Sequence, residues 1–396
     1  MKIEGSDTKE QSNDNNDSAP VNMGEGKLNI NLPAANDRYV VNRFDISNAF
    51  YQFQCSVKTM LDEDGSLCLE SHVQHILALS CIFLVKPLQF HEDVKTYIPN
   101  TVLDQMVDDL QTRYHINKRG TPLGLLSKTL PLLDDVRTRR IDQDEATARL
   151  LLLKGDLSGD EFRIVKSIAM LLQNLPENRI TNTIMEQELL TRFIEPALAP
   201  LFENTIGKVL FRWTATTNDE YKATTAVTVS QDRPDACISN LDGMVWGATL
   251  GFGEVKCFSQ MGNKFAIAKD LVRLALFAKN SIDVHNLHGV LVFQVIGRHA
   301  FFYLVNLLND GLYIMLEIGN IELPACLMDL PAYVAQAHRL LDVLSLYDDM
   351  CVSWTAMETK SFSTRKRKTL DADTQNNIID KTRNRKRPSI TSFKYQ

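Results

Sequence analysis

The sequence lacks several features that would narrow its function class. No apolar run reaches the eighteen or so residues that a membrane span needs. The first eighteen residues, "MKIEGSDTKEQSNDNNDS", contain no apolar stretch of a secretory signal. The seven cysteines are scattered and include no CxxC pair, which predicts reduced thiols and argues against a zinc site built from thiolates. These absences favour a cytosolic or nuclear protein without a membrane partner.

Sequences that cradle phosphate are also missing. Neither GxxxxGK[ST] nor GxGxxG occurs. The segment "GFGEV" (251–255) and the later "AIAK" (266–269) imitate the glycine loop and lysine strand of a protein kinase, but the HRD and DFG sequences that must follow are absent. His72 and His75 share a predicted helix face, yet no nearby cysteine or third histidine completes a metal site.

Charge is distributed unevenly along the 396 residues. Residues 360–396 contain eleven Lys or Arg against three Asp, a net charge of +8. Because the whole chain carries −6, the first 359 residues carry −14. We therefore expect the basic tail, and not the field of the acidic body, to attract any polyanion.

Composition and periodicity predict an α+β protein in four parts. Residues 1–36 are polar and expected to be disordered, and 353–396 form a disordered basic tail. Residues 37–182 are expected to form a helical domain of unknown role, which ends at the Pro- and Asn-containing break "LPENRITN" (175–182). Residues 183–352 mix strands and helices and form the second folded domain.

Individual elements follow from the spacing of apolar residues. Three- and four-residue spacing or helix start signals predict helices at 70–85, 101–114, 142–154, 158–175, 183–205, 264–281 and 330–350. Aromatic and β-branched content predicts strands at 208–216, 233–239 and 248–257, and three more within 289–320. A turn is expected at Asp242 and Gly243.

One strand carries a pattern with chemical meaning. In "LGFGEVKC" (250–257), Glu254 and Lys256 lie on the same strand face, and Asp235 belongs to the chain's only Pro-Asp step, Pro234-Asp235. Two carboxylates held a few ångströms apart can bind Mg²⁺, which prefers oxygen ligands, and a neighbouring lysine can orient a water or offset developing charge. Gly251 and Gly253 leave the other face bare, which predicts a close approach by nucleic acid or a packed helix.

This segment resembles the PD-(D/E)xK nuclease superfamily, with its restriction-endonuclease-like fold. The match runs from "RPD" through eighteen residues to "EVK", inside a helix–three strands–helix–strand order. The resemblance implies an α-β-β-β-α-β core and Mg²⁺- or Mn²⁺-dependent cutting of nucleic acid, DNA being favoured over RNA. It implies that Asp235, Glu254 and the Val255 carbonyl hold the metal and that Lys256 positions the water.

The resemblance also suggests additional ligands from the helices. Many members of the superfamily have an acidic residue in the helix before the first strand, and helical phase selects Glu186, which is placed at the centre of an apolar stripe. Lys264 and Lys269, in the helix after the motif, are candidate phosphate contacts. Each of these side chains could equally be a solvated surface charge.

The basic tail suggests a subcellular localisation. The clusters Arg365, Lys366, Arg367, Lys368 and Arg383, Arg385, Lys386, Arg387 resemble a two-part nuclear import signal read by an import receptor, so we expect nuclear localisation. A phosphate-binding arm is the alternative. Ile390, Phe393 and Tyr395 weakly resemble a sliding-clamp-binding peptide, although its initial glutamine is missing.

Two functions remain open from sequence alone. The first is Mg²⁺-dependent phosphodiester hydrolysis. The second is a catalytically inactive descendant of the nuclease fold that acts as a nuclear nucleic-acid-binding or protein-interaction module. A plain structural reading, with Glu254 and Lys256 on a solvated strand face, agrees poorly with Leu250 and Phe252 on the same face.

Overall fold

A computed structural model of the chain describes residues 30–214, 233–355, 362–370 and 372–380. The strands are β1 (Val40–Val41), β2 (Phe44–Asp45), β3 (Ile82–Val85), β4 (Val209–Trp213), β5 (Ala236–Asp242), β6 (Val245–Lys256), β7 (Gly289–Ile296), β8 (His299–Asn309) and β9 (Leu312–Glu322). The helices are α1 (Ile46–Asp64), α2 (Val73–Leu79), α3 (Glu92–Tyr97), α4 (Asn100–Arg113), α5 (Leu123–Arg137), α6 (Gln143–Leu152), α7 (Gly159–Asn174), α8 (Glu186–Leu189), α9 (Glu195–Phe202), α10 (Lys264–His285), α11 (Leu330–Ala335), α12 (Ala337–Met350) and α13 (Ala372–Ile378).

A seven-stranded mixed sheet organises the molecule. Its strand order is β3-β9-β8-β7-β6-β5-β4. Strands β4 to β6 run antiparallel as a meander, β6 and β7 are parallel, and β7 to β9 form a second antiparallel meander. The parallel step needs a crossover, which α10 provides by packing on β6 and β7. No helix within the described residues is long and apolar enough to cross a membrane.

Most predicted elements are confirmed, because their signals are local. Asp142 caps α6 by accepting a hydrogen bond from the Glu145 N–H, and Ser158 forms a capping box with Glu161 at the start of α7. The turn between β5 and β6 contains Gly243 at a φ of +63°, a conformation that glycine adopts without strain.

The prediction of one helix over 70–85 is wrong. Helix α2 ends at Leu79, Cys81 takes a φ of +61°, and the chain continues as β3, whose four residues are all buried. Strand β3 pairs in parallel with β9 at the edge of the sheet. A four-residue apolar run has the same periodicity in a buried strand as in a buried helix, so the pattern alone could not distinguish them.

The predicted boundary at residue 182 does not separate two cores. Strand β3 comes from the first predicted domain and lies in the sheet of the second. Buried contacts cross the same boundary: the Ser167 and Tyr333 hydroxyls lie 2.8 Å apart, and Asn306 Nδ2 donates to the Tyr114 hydroxyl at 2.8 Å. The buried apolar residues of both parts belong to one cluster.

The prediction of a disordered tail is wrong for residues 362–370 and 372–380. Phe362, Leu370 and Ile378 are buried. Lys279, which is fully buried, donates to the Arg367 carbonyl and to Thr369 Oγ1, the latter at 3.0 Å. An ammonium group inside a protein requires such partners, so this segment is part of the fold.

Candidate active site

The pairing of β5 with β6 sets the first carboxylate beside the second. Ala236 is the register partner of Gly253, so Asp235, directly before β5, lies across from Glu254. Asp235 Oδ2 accepts a hydrogen bond from the Val255 N–H at 2.8 Å, which fixes this carboxylate against β6. On the other side of β6, Glu254 is the register partner of Gln294 in β7.

Glu254 is an unusually placed carboxylate. Its exposed fraction is 1%, and its pKa is raised well above the usual range, first by burial and then by the nearby charges of Asp235 and Asp270. The guanidinium of Arg273 opposes this shift, with Nη1 at 3.0 Å from Glu254 Oε1, and Lys256 also opposes it. Three carboxylates therefore share a space that holds two cationic side chains.

Helix α10 supplies two members of this group that the sequence reasoning missed. Asp270 Oδ2 forms an ion pair with Lys256 Nζ, and Asp270 Oδ1 lies 3.5 Å from Arg273 Nη1. A sequence signal was available: Asp270, Arg273 and Phe277 follow helical spacing on one face, and Phe277 packs against Phe252 of β6 at 5.4 Å between ring centroids. The charged pair therefore faces the sheet.

Lys256 is held in its charged form. Burial lowers its pKa, but Asp270 raises it by charge and hydrogen bonding and Glu254 raises it further, so that the pKa lies above its usual value. Lys256 Nζ also donates to the Val255 carbonyl at 3.2 Å. The Lys256 ammonium thus contacts the Val255 carbonyl oxygen, which the PD-(D/E)xK resemblance implies is a metal ligand.

The structure corrects the prediction of Glu186, in the helix before β4, as a metal ligand. Glu186 is exposed at the first residue of α8. The buried stripe of this segment is made by Leu189, Phe193 and Ile194, while Met185 lies outside the helix and is half exposed. A π-helical turn over Leu190–Ile194 also interrupts the regular phase on which the choice rested. The burial argument for Glu186 is therefore wrong.

The two candidate phosphate contacts have the exposure that such a role needs. Lys264 begins α10 and Lys269 lies one turn further on, and both side chains are exposed. Lys269 directly precedes the buried Asp270 in sequence, so the two residues face in different directions on the helix. Contact of either lysine with phosphate stays a prediction.

The bare glycine face of β6 is filled by side chains of both neighbouring strands, β5 and β7. A Cβ at Gly253 would lie 2.1 Å from Phe293 Cζ, and one at Gly251 would lie 2.8 Å from Ile238 Cδ1. The Phe293 ring stacks on Phe211 of β4 at 5.9 Å between centroids. The expected approach of nucleic acid or a helix at this face is wrong, since aromatic and aliphatic side chains of the sheet occupy it.

The first basic cluster of the tail is engaged by the fold. Arg365 Nη2 donates to the Leu308 carbonyl at 3.0 Å, and Lys366 Nζ donates to Asn286 Oδ1 at 2.8 Å. Arg367 Nη2 forms an ion pair with Asp310 Oδ2 at 2.8 Å, whereas Lys368 is exposed. The second cluster, Arg383, Arg385, Lys386 and Arg387, and the clamp-like peptide with Ile390, Phe393 and Tyr395 lie outside the described residues.

Comparison with known proteins gives no relative. No protein-family model, no curated protein and no solved structure matches the chain.

Proposed function

We propose that this chain hydrolyses phosphodiester bonds of nucleic acid, with DNA favoured over RNA, at a PD-(D/E)xK-like site that uses Mg²⁺ or Mn²⁺. The observation that carries the proposal is the meeting of Asp235, Glu254 and Lys256 at the junction of β5 and β6. The succession α9, β4, β5, β6, α10, β7 supports it, because it has the α-β-β-β-α-β order of a restriction-endonuclease-like core.

The donor set suits a hard divalent cation. Asp235 and Glu254 offer carboxylate oxygens, which Mg²⁺ prefers as ligands. The Val255 carbonyl would join them only if the Lys256 ammonium, which donates to it at 3.2 Å, moved aside. Glu254 Oε1 is buried and accepts no hydrogen bond within the described residues, and its contact there is the ion pair with Arg273. Burial, and after it the negative charges of Asp235 and Asp270, raise the pKa of Glu254, and a bound cation would favour its ionised form. When bound, the metal would lower the pKa of a water and stabilise negative charge on the leaving oxygen.

The protein groups have separate tasks in this scheme. Asp235 is held in place by the Val255 N–H, so its other carboxylate oxygen keeps a fixed direction. Lys256 presents a protonated amine that can orient the attacking water or balance charge on the phosphate. Asp270 anchors that amine through its ion pair, and Arg273 neutralises Glu254 before a metal binds. Asp270 and Arg273 are thus positioning residues.

A second candidate function is a module of the same fold without catalysis. It is favoured by the low exposure of Glu254 and by Arg273, whose guanidinium already supplies a positive charge at the carboxylates. Metal binding separates the two candidates. A ligand that binds only the folded state raises the melting temperature, so the nuclease predicts that Mg²⁺ stabilises the wild type and not Asp235→Asn. The inactive module predicts no stabilisation of either.

Cleavage is the direct test. Purified full-length chain is incubated with plasmid DNA, linear duplex, single-stranded DNA and RNA in Mg²⁺, Mn²⁺ or a chelator. We expect metal-dependent cutting that falls at least 100-fold in Asp235→Asn, Glu254→Gln and Lys256→Met. Glu317→Gln is the matched control, because Glu317 pairs with Lys86 at 3.4 Å on β9, three strands away from β6. Equal cutting by the wild type and the three site variants would contradict the proposal.

Nuclear localisation remains part of the proposal and now depends mainly on one cluster. Arg365, Lys366 and Arg367 contact the folded body, so an import receptor that binds extended peptides would have to displace them. Arg383 to Arg387 are the better candidates for that receptor. Alanine replacements of the second cluster should shift a fluorescent fusion of the full chain out of the nucleus, and an unchanged distribution would contradict import through this cluster.

A further inference from the structure

Three histidines that are dispersed in the sequence meet in the fold. His72 directly precedes α2, His75 lies in its first turn, and His91 directly precedes α3. One ring nitrogen from each histidine lies within 4.8 Å of the corresponding atoms of the other two. The sequence analysis found no third histidine because His91 is sixteen residues beyond His75, across strand β3. The fold brings His91 next to His72 and His75, which helical spacing alone could not show.

The orientation of His75 indicates where a ligand would lie. Its Nε2 faces Asp93 Oδ2 at 2.9 Å, so this nitrogen carries the hydrogen that the carboxylate accepts. Its Nδ1 then has a free lone pair, and this atom is buried and has no hydrogen-bond partner in the described part of the chain. The side chain is 1% exposed, so bulk solvent does not reach this nitrogen. An unpaired buried nitrogen is costly unless something binds it.

The surrounding polar groups hold the rings in place. Asp93 contacts two of the imidazoles: its Oδ2 accepts from His75 Nε2, and its backbone N–H donates to His91 Nδ1 at 3.2 Å. Gln74 Oε1 accepts a hydrogen bond from the His91 N–H at 2.7 Å, and Gln74 Nε2 donates to the Leu84 carbonyl at 3.2 Å. A carboxylate behind metal-binding histidines is a common second layer that orients the rings.

We propose that His72, His75 and His91 form a binding site for a transition-metal cation, with Zn²⁺ as the expected ion. Three imidazoles suit Zn²⁺, whereas Mg²⁺ requires oxygen ligands, so this site is chemically distinct from the carboxylate site of β6. Tetrahedral Zn²⁺ with bonds of about 2.1 Å places its nitrogens about 3.4 Å apart. Side-chain rotations that move the ring nitrogens by about 1 Å would bring all three to that spacing. A fourth position is left for water or another donor.

The site would tie two loops together. Metal binding would join the start of α2 to the start of α3, on either side of β3 at the edge of the main sheet. The proposal stands apart from nuclease activity, because it rests on different residues and different ligand chemistry. Its test therefore reads metal binding and not cleavage.

The experiment uses the full-length chain after removal of metals with a chelator. Isothermal titration with Zn²⁺ and absorbance titration with Co²⁺ should both give one ion per chain, the Co²⁺ spectrum showing tetrahedral coordination. His91→Ala and His72→Ala, at half-buried positions, should weaken Zn²⁺ binding at least 100-fold, and Asp93→Asn should weaken it 10- to 100-fold. Circular dichroism checks that each variant is folded.

His299→Ala is the matched control, because His299 is exposed at the start of β8 and is not part of the three-histidine cluster. It should bind Zn²⁺ as the wild type does. Absence of Zn²⁺ binding by the wild type would overturn the proposal, as would equal affinity in His91→Ala and His299→Ala.

Discussion

At the scale of single residues, Glu254 combines burial with neighbouring negative charge. Its pKa in the folded chain is raised above the value of about 4.3 expected for an unfolded glutamate. The folded state therefore holds this proton more tightly than the unfolded state does. The corresponding stability is present below the unfolded pKa and is lost as pH rises through the folded pKa. Above that pH the ionised carboxylate is an electrostatic cost to the fold.

Replacement of Glu254 should separate stability from activity. Glu254→Gln keeps the shape and removes the charge, so we expect its free energy of unfolding at pH 8 without metal to exceed that of the wild type by about 1 kcal/mol. At pH 4, where the wild-type carboxyl is protonated, the difference should vanish. Urea unfolding at the two pH values measures this. A variant less stable than the wild type at pH 8 would show that the ion pair with Arg273 outweighs the burial cost.

Gly253 is required by packing and not by backbone conformation. The Phe293 ring occupies the space of a Cβ at this position and is itself stacked on Phe211. Gly253→Ala should therefore lower the free energy of unfolding by about 2 kcal/mol, within the range for overpacked cores. Gly262→Ala, where a Cβ would meet no atom within 4 Å, is the control.

A second-site change tests the packing explanation. Phe293→Leu shortens the side chain that collides with the new methyl group. Gly253→Ala should therefore cost less in the Phe293→Leu background than in the wild type, as chemical denaturation of the double-mutant cycle would show. Equal costs in the two backgrounds would mean that the collision is not the cause.

At the residue level, the predicted proximity of Asp235, Glu254 and Lys256 rested on local signals, and their catalytic role stays a prediction. Strand alternation placed Glu254 and Lys256 on one face, and hairpin spacing placed Asp235 opposite, as the register shows. Asp270 and Arg273 were missed because their importance depends on which face of α10 meets the sheet. That information is tertiary, and only the shared spacing with the buried Phe277 hinted at it.

At the scale of elements, the C-terminal segment of residues 362–370 and 372–380 packs on the rest of the fold and is called the strap below. The strap buries four apolar side chains, Phe362, Leu370, Ile378 and Ile379, and supplies partners for the enclosed ammonium of Lys279. The basic composition predicted a solvated tail, because a charge count does not show which groups the tail contacts. In the fold, the Leu308 carbonyl and the Asp310 carboxylate bind its arginines. Polar sequences with a few well-spaced apolar anchors can thus be ordered by contacts from elsewhere in the chain.

Truncation tests the strap. A chain ending at residue 355 exposes the surface under Phe362, Leu370 and Ile378 and leaves Lys279 with fewer partners, so it should lose about 3 kcal/mol or more of unfolding free energy. A chain ending at residue 380 keeps these contacts and should match the full-length protein. Thermal and urea unfolding of the two truncations provides the comparison. Equal stability of both would contradict the structural role of the segment.

At the scale of the whole molecule, one core joins both predicted halves. Strand β3 covers the edge of β9, and Tyr114 contacts Asn306 of the sheet. Ser167 of α7 contacts Tyr333 of α11, which joins helices from the two halves. An isolated fragment 183–380 would expose the β9 edge and the apolar faces that the helices cover. We expect it to be insoluble or unfolded when produced alone, whereas 30–380 should fold. A soluble, cooperatively unfolding 183–380 fragment would show that the halves are separate domains.

A comparison of two lysine variants tests most directly whether Lys256, beside Asp235 and Glu254, takes part in cleavage. Cleavage of supercoiled plasmid in Mg²⁺ is measured for the wild type, Lys256→Met and Lys269→Met at equal concentrations of folded protein. Lys269 lies exposed on α10 and outside the carboxylate group. The account predicts that Lys256→Met cuts at least 100-fold more slowly and that Lys269→Met loses less than tenfold. Equal rates for the wild type and Lys256→Met, or no cutting by the wild type in any divalent metal, would contradict it.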